Sequence, residues 1–246
     1  MLSIQNLYAK VEKNPILQGV NLEIAPGETC VLMGPNGSGK STLAKAIMGH
    51  PSVDIEQGTI SVDGKDITSE EVSERAKTGV FLAFQYPTEV PGVNFSNFLR
   101  LAYNAGKEKD KQLGVFQFRK ILKQKAALLG ISEEFLDRNL NEGLSGGEKK
   151  KSEILQLAVL EPKYAILDET DSGLDIDALR QVFSALAKLQ EQNKKMGLLI
   201  ITHYESIFDY ISPDKIVVMK KGKITEQGGM EIAKDILAHG YEKYED

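Results

Sequence analysis

The run Gly34-Pro35-Asn36-Gly37-Ser38-Gly39-Lys40-Ser41-Thr42 limits what this chain can fold into more tightly than any other part of it. It fits the phosphate-loop pattern, in which a glycine, four free positions and Gly-Lys are followed by Ser or Thr. Its flanks fit as well. Thr29 to Met33 is a nearly continuous apolar run suited to a buried strand, and Leu43, Ala44, Ile47 and Met48 continue at helical spacing. The glycines let backbone amides turn inward around an anion, and the start of the next helix adds its positive end. Lys40 is then placed to bridge β- and γ-phosphates and Ser41 to ligate Mg²⁺, with residues 34–42 together cradling a nucleotide. A strand, this loop and a helix imply an α/β fold with a mostly parallel sheet.

The remaining pattern supports that reading. Leu2 to Leu7 and Val20-Asn21-Leu22-Glu23-Ile24 read as strands, and Pro26-Gly27 turns the chain after the second. Gly58 to Val62 followed by Asp63-Gly64 reads as another edge or hairpin strand. From about Asn94 to Val159 the periodicity is helical, interrupted at Gly106, Gly114 and Gly130. Phe118, Ile121, Leu122 and Lys125 lie along one stripe, and the charged run Lys107 to Lys111 reads as a solvated loop or helix end. The α/β pattern then returns. Strands are expected at Tyr164–Leu167 and Leu198–Ile201, a helix at Asp177–Gln190, and a hairpin from Ile216–Met219 to Gly222-Lys223-Ile224. The expected layout is a single domain over 1–246. Its core comprises 1–90 and 161–246, and a helical lobe over 91–160 is inserted in it.

Composition narrows the function classes. With 30 Lys and Arg against 35 Asp and Glu, the net charge of -5 argues against nucleic-acid binding, which needs a concentrated basic surface. The single cysteine, Cys30, excludes an internal disulfide and a one-chain cysteine cluster, and its apolar run marks it as a buried strand residue. No apolar stretch approaches the roughly 18 residues of a membrane helix, and residues 1–5 do not read as a signal peptide. The expectation is a soluble protein without direct membrane insertion, in a reducing compartment.

Two further groups carry chemistry. Asp168 and Glu169 end the apolar strand Ala165-Ile166-Leu167. Beside a phosphate loop they divide the labour: Asp168 holds the metal, directly or through its water, and Glu169 polarises a water aimed at the γ-phosphorus. Leu144-Ser145-Gly146-Gly147-Glu148 opens a helical stretch containing Leu155, Leu157, Ala158 and Val159. Ser145 and the glycine amides at such a helix start can receive an anion, and the same residues also form a plain N-cap.

In this order, these residues resemble the ATP-binding-cassette ATPases. The resemblance implies a P-loop NTPase core of ABC type with an N-terminal antiparallel β subdomain and an inserted α-helical lobe. It also implies Mg²⁺-dependent hydrolysis of ATP to ADP and phosphate. A second copy of the chain would close head-to-tail, so that Ser145, Gly146 and Gly147 of one copy cover the nucleotide of the other. By the same resemblance, Gln85 in Phe84-Gln85-Tyr86-Pro87 senses water and joins Ser41 and Asp168 at the metal. The loop Asp171 to Asp175 crosses the dimer interface, and His203 contacts the γ-phosphate. His50 and His239 match nothing in the pattern and read as surface or structural. Many members stack an aromatic on the adenine from near position 11, where this chain has Val11. Tyr8 is out of register, so base binding is expected to be mainly apolar and weakly selective.

Longer runs are similar to one branch of that family, the SufC-type ATPase subunits of the SUF iron–sulphur cluster assembly system. They are Phe81 to Val93, Leu144 to Lys151, Asp168-Glu169-Thr170-Asp171-Ser172-Gly173-Leu174-Asp175, and Thr202-His203-Tyr204 with Asp209 to Asp214. The branch implies a cytoplasmic subunit, or in a eukaryote one of the plastid stroma or an equivalent organelle. It also implies SufB-like and SufD-like scaffold proteins as partners, docked through the segment Tyr86 to Phe98, with the cluster carried by the scaffold. The alternative is the soluble ATPase subunit of a membrane ABC transporter. A non-catalytic module is disfavoured by the intact Lys40, Asp168, Glu169 and His203. Lys149-Lys150-Lys151 reads as a solvated helix face, one of whose lysines could pair with a catalytic carboxylate in a resting monomer.

Overall fold

The computed structural model describes residues 1–202 and 205–241 of the chain. They fall into two units. One comprises Met1–Gln85, Pro162–Asp171 and the described part of Asn193–Asp246, and the other Tyr86–Glu161 and Ser172–Gln192.

The first unit begins with an antiparallel sheet. β1 (Leu2–Val11) pairs with β2 (Asn14–Ile24), and after β3 (Thr29–Met33) and α1 (Lys40–Met48) the chain returns as β4 (Asp54–Val62) on the other side of β1. Strand alternation buries Leu2 and Ile4, and then Leu7 and Ala9. The switch from even to odd positions follows from a register shift between Ile4 and Leu7, where Asn6 takes φ 48. One extra residue keeps both halves facing the core. Asp63 and Gly64, at φ 52 and 81, form the tight turn into β5 (Lys65–Asp66), as a type I′ connection requires.

The second sheet carries the chemistry. α2 (Val72–Lys77) leads to β6 (Val80–Ala83), and the later strands are β7 (Tyr164–Asp168), β8 (Gly197–Ile201), β9 (Lys215–Lys220) and β10 (Lys223–Gly228). The order is β10-β9-β3-β8-β7-β6, with β10 antiparallel and the others parallel. Every residue of β3, β7 and β8 is buried, as expected of parallel strands covered on both faces. Cys30 lies in β3, and burial pushes its thiol up to about 12. Arg75 on α2 ends the helix that follows the phosphate loop. Its Nη1 donates to the carbonyls of Ala46 at 2.8 Å and Ile47 at 2.9 Å, and its Nε to Glu70 at 2.8 Å. A cation thus satisfies carbonyls left open at the helix C-terminus.

The helical unit contains α3 (Phe95–Ala105), α4 (Val115–Leu128), α5 (Gly146–Leu160) and α6 (Ile176–Gln192). Phe95, Leu99, Phe118, Leu122, Leu136, Leu155 and Val159 share its core. The Phe118–Leu122 stripe is buried there, and Lys125 reaches Glu161 at 2.6 Å. Within Lys107 to Lys111, residues 109–111 form an exposed helical turn. Two boundaries differ from the expected layout. The unit starts at Tyr86, and it takes in α6, which the sequence pattern grouped with the sheet segments. The apolar stripe of α6 (Val182, Phe183, Leu186, Leu189) is buried, but a stripe does not say which core receives it. Lys149 pairs with Glu89 at 2.8 Å, and Lys150 with Glu153 at 3.1 Å. Lys150 is therefore buried, not on a solvated face. The first unit ends with α7 (Met230–His239). No described helix is long and apolar enough to cross a membrane.

Candidate functional site

The parallel strands of the second sheet point their carboxyl ends to one edge, the side on which such sheets bind ligands. β3 runs into the phosphate loop there, β7 ends on Asp168, β6 leads to Gln85 and β8 leads to Thr202. Strand direction alone therefore gathers residues from distant parts of the sequence.

The loop itself is shaped by glycine. Gly34 has φ 152, and a β-carbon on it would lie 2.1 Å from the carbonyl oxygen of Met219 on β9. Gly39 caps α1 with φ 108 and offers no side chain, and no acidic residue occupies the first turn. The buried Ser38 hydroxyl has no hydrogen-bond partner among the described residues. Lys40 is buried. Its Nζ donates to the carbonyls of Gly34 at 2.9 Å and Pro35 at 3.0 Å. Burial lowers its pKa, while Glu169 and Asp168 pull it back up. Open helix amides, an orphaned hydroxyl and a desolvated ammonium lie within one short loop and the helix start that follows it. Together they are what an anion needs.

The carboxylates complete the site. The Ser41 hydroxyl donates to Asp168 Oδ1 at 3.0 Å, and Gln85 Nε2 donates to Glu169 Oε2 at 2.5 Å. Glu169 takes φ 46, a left-handed conformation rare outside glycine, while its N–H donates to the Ile201 carbonyl at 3.0 Å. Ile16, Asn36, Gly37, Gly39, Lys40, Ser41, Thr42 and Glu169 line one cleft of about 210 Å³. The adjacent Ser41 and Asp168 oxygens suit Mg²⁺, whose octahedral shell nucleotide phosphates and water would fill.

In the helical unit, Ser145 caps α5. Its Oγ accepts from the Glu148 N–H at 3.3 Å, and Glu148 Oε2 accepts from the Ser145 N–H at 2.8 Å. That hydrogen bond, with Arg138 at 2.9 Å, holds the Glu148 carboxyl below the usual carboxylate range. Gly146 and Gly147 line a separate cleft with Gly173, Leu174 and Asp175. Asp175 accepts from the Ala178 N–H at 2.7 Å and so caps α6. Asp171 is buried and accepts from the Thr202 hydroxyl.

Gly34 to Thr42, Gln85, Asp168 and Glu169 thus meet in one place, while Ser145, Gly146 and Gly147 form a second. His203 lies outside the described residues. His50 bonds locally to Ser52 and His239 to Asp235, as structural residues do. Neither Val11 nor Tyr8 lines the cleft, and Ile16 on β2 provides its apolar wall. Tyr8 lies against Gly19 instead. Ile16 went unmarked because nothing in the pattern separates it from other strand residues. In Tyr86 to Phe98, Tyr86 is 76% exposed, whereas Phe95 is buried against Phe135.

Comparison with known proteins agrees with this geometry. Residues 17–172 match the ABC transporter family. "Vegetative protein 296" of Bacillus subtilis is 48% identical over 241 residues, covering 98% of this chain and 92% of that protein. The "Probable ATP-dependent transporter slr0075" of Synechocystis is 51% identical, covering 98% and 94%. The "Probable ATP-dependent transporter ycf16" of Pyropia yezoensis is 50% identical, covering 98% and 96%. Among solved structures, a nucleotide-free ATP-binding cassette from an ABC transporter superposes with a TM-score of 0.79 at 27% identity, covering 99% of this chain and 98% of that one. A dimeric cassette bound to ADP and Pi has the same fold, with a TM-score of 0.79 at 22% identity, covering 94% and 99%.

Proposed function

This chain belongs to the ABC transporter family as an ATP-binding cassette, and from that premise we propose that it is the SufC-type ATPase of a soluble iron–sulphur cluster assembly machine. The observation that carries the chemistry is the convergence of Lys40, the Ser41–Asp168 pair and the Gln85–Glu169 pair at one sheet edge. The amides of the loop and the Ser38 hydroxyl bind the phosphates of ATP, and Lys40 leaves the Gly34 and Pro35 carbonyls to neutralise them. Ser41, Asp168 and Gln85 would hold Mg²⁺, which neutralises charge on the β- and γ-phosphates when bound. Glu169 accepts a proton from the attacking water, and Gln85 fixes the direction of its carboxylate. His203 contacts the γ-phosphate. Ile16 packs on the base, an apolar contact that discriminates weakly between purines. A second copy supplies Ser145, Gly146 and Gly147 over the γ-phosphate, closing two sites head-to-tail. Glu169→Gln is expected to slow hydrolysis about 10²- to 10⁴-fold and to leave ATP affinity unchanged. Unaltered turnover in E169Q would overturn the assignment of the base.

The choice of partner rests on the runs shared with the SUF branch, above all Thr170-Asp171-Ser172-Gly173 after Glu169, where transporter subunits tend to carry Pro-Thr-Ser-Ala. The exposed Tyr86 in the segment proposed for docking supports contact with a SufB- or SufD-like scaffold. A second reading, the soluble ATPase subunit of a membrane transporter, is favoured by the names of the Pyropia yezoensis and Synechocystis relatives, both called ATP-dependent transporters. Affinity capture from the native cell separates the two. Recovery of soluble scaffolds that raise the ATPase rate is expected, and recovery of a polytopic membrane protein would overturn the cluster-assembly reading.

A further inference from the structure

The first residue of the phosphate loop is tied on both sides, through the peptide before it and the peptide after it. The Gly34 carbonyl accepts from Lys40 Nζ at 2.9 Å, and the Gly34 N–H donates to the Tyr241 hydroxyl at 3.1 Å. Tyr241 follows α7, whose Ile232, Ala233 and Ile236 are buried, and Gly240 turns the chain at φ 71 with its N–H on the Ile236 carbonyl at 2.7 Å. Tyr241 is half-buried, and burial raises its pKa while the Gly34 N–H lowers it.

The other neighbours of Gly34 show why such a tie matters. The Met219 carbonyl of β9 and the Ser38 hydroxyl crowd the space where a side chain would stand. The Ser38 carbonyl accepts from Gly222 at 2.9 Å, so the turn from β9 to β10 braces the far side of the loop. On the proposed function, on which this inference rests, Lys40 must leave the Gly34 and Pro35 carbonyls to reach the phosphates. Tyr241 still holds Gly34 through its N–H, on the Met33–Gly34 peptide.

We propose that Tyr241 is a positioning residue for nucleotide binding: its hydroxyl fixes the Gly34 peptide, and with it the orientation of the amides that follow. It touches no phosphate and acts only through the loop. The chain segment after α7 thereby becomes part of the nucleotide site, although it lies far from the phosphate loop in sequence.

The test is Tyr241→Phe, which removes one oxygen and keeps the ring. Binding of a fluorescent ATP analogue is measured alongside backbone hydrogen exchange of residues 34–38 in the nucleotide-free protein. Y241F is expected to weaken binding about three- to tenfold, the range of one lost hydrogen bond, and to raise KM for ATP without lowering kcat. The Gly34 amide is expected to exchange faster while thermal stability changes little. A purely structural role for Tyr241 would lower stability and leave affinity and the KM-to-kcat split untouched. Wild type and Y241F binding within twofold of each other, with equal exchange at Gly34, would overturn this inference alone. Absence of nucleotide binding by both proteins would overturn the ATPase assignment and this inference with it.

Discussion

Two helix starts in this molecule carry serine and glycine, and they are finished in opposite ways. At α1, Gly39 offers no side-chain cap, no acid occupies the first turn, and the Ser38 hydroxyl is buried without a partner among the described residues. At α5, Ser145 and Glu148 satisfy each other's backbone amides in a capping box, and the Glu148 carboxylate lies over the positive end of the helix. Unsatisfied donors in a buried loop have a free-energy cost that a ligand removes, while a capped helix is already content. On the proposed function, the first start is a binding site by itself. The second holds its shape alone, and an anion must approach it already carried by something else, as a nucleotide seated on a second copy would be.

The sharpest way to break this contrast is Lys40→Ala. It is expected to weaken nucleotide affinity about 100-fold or more, because a desolvated ammonium on phosphate is worth several kcal/mol. Ser145→Ala should leave the affinity of the monomer within about twofold in the same equilibrium titration. If S145A abolished monomer binding as K40A does, the two starts would not differ as described. Ser38→Ala gives a finer discrimination. Removing an unpartnered hydroxyl should leave the nucleotide-free protein as stable as before, yet weaken ATP binding about three- to tenfold. Ser145→Ala, by contrast, should lower stability by about 1 kcal/mol in denaturant unfolding, the ordinary value of an N-cap.

The smallest effect is pH-dependent. The folded pKa of Glu148 is depressed, chiefly by the Ser145 N–H. Its contribution is therefore complete above the unfolded value of about 4.3 and is lost as pH falls through the lower folded value. Stability curves of wild type and Glu148→Gln should differ by a few tenths of a kcal/mol at neutral pH and converge in acid. Curves that stay parallel down to acid pH would mean that the carboxylate does not cap the helix.

What could be read in advance was what is local. The phosphate loop, the Asp168-Glu169 strand end and the Ser145 cap are short runs whose geometry follows from residue type and neighbours; apolar alternation marked the first sheet and continuous apolar runs the second. Contacts between remote segments left no such trace. Ile16 facing the cleft, Arg75 on the end of α1 and Tyr241 on Gly34 each depend on how elements pack, which no periodicity records. α6 shows the same limit at larger scale, since its stripe predicts burial and does not say which core receives it.

One feature of the sheet bears on how the site comes into being. β6 and β7 are neighbours, Val80 opposite Tyr164, yet all of Tyr86–Glu161 lies between them in the chain. That ladder cannot zip from a hairpin and must instead close a long loop, whose entropy cost rises with the logarithm of its length. Helices fold on local contacts and much faster. The order expected on these grounds is that the helices of 86–161 form early, and that β6 docks late and brings Gln85 to Glu169 as one of the last native contacts. β3 pairs with β8 and β9 across still longer loops, so the phosphate loop and the Gln85–Glu169 pair would both be completed late, and a partly folded chain could neither hold nucleotide nor consume it.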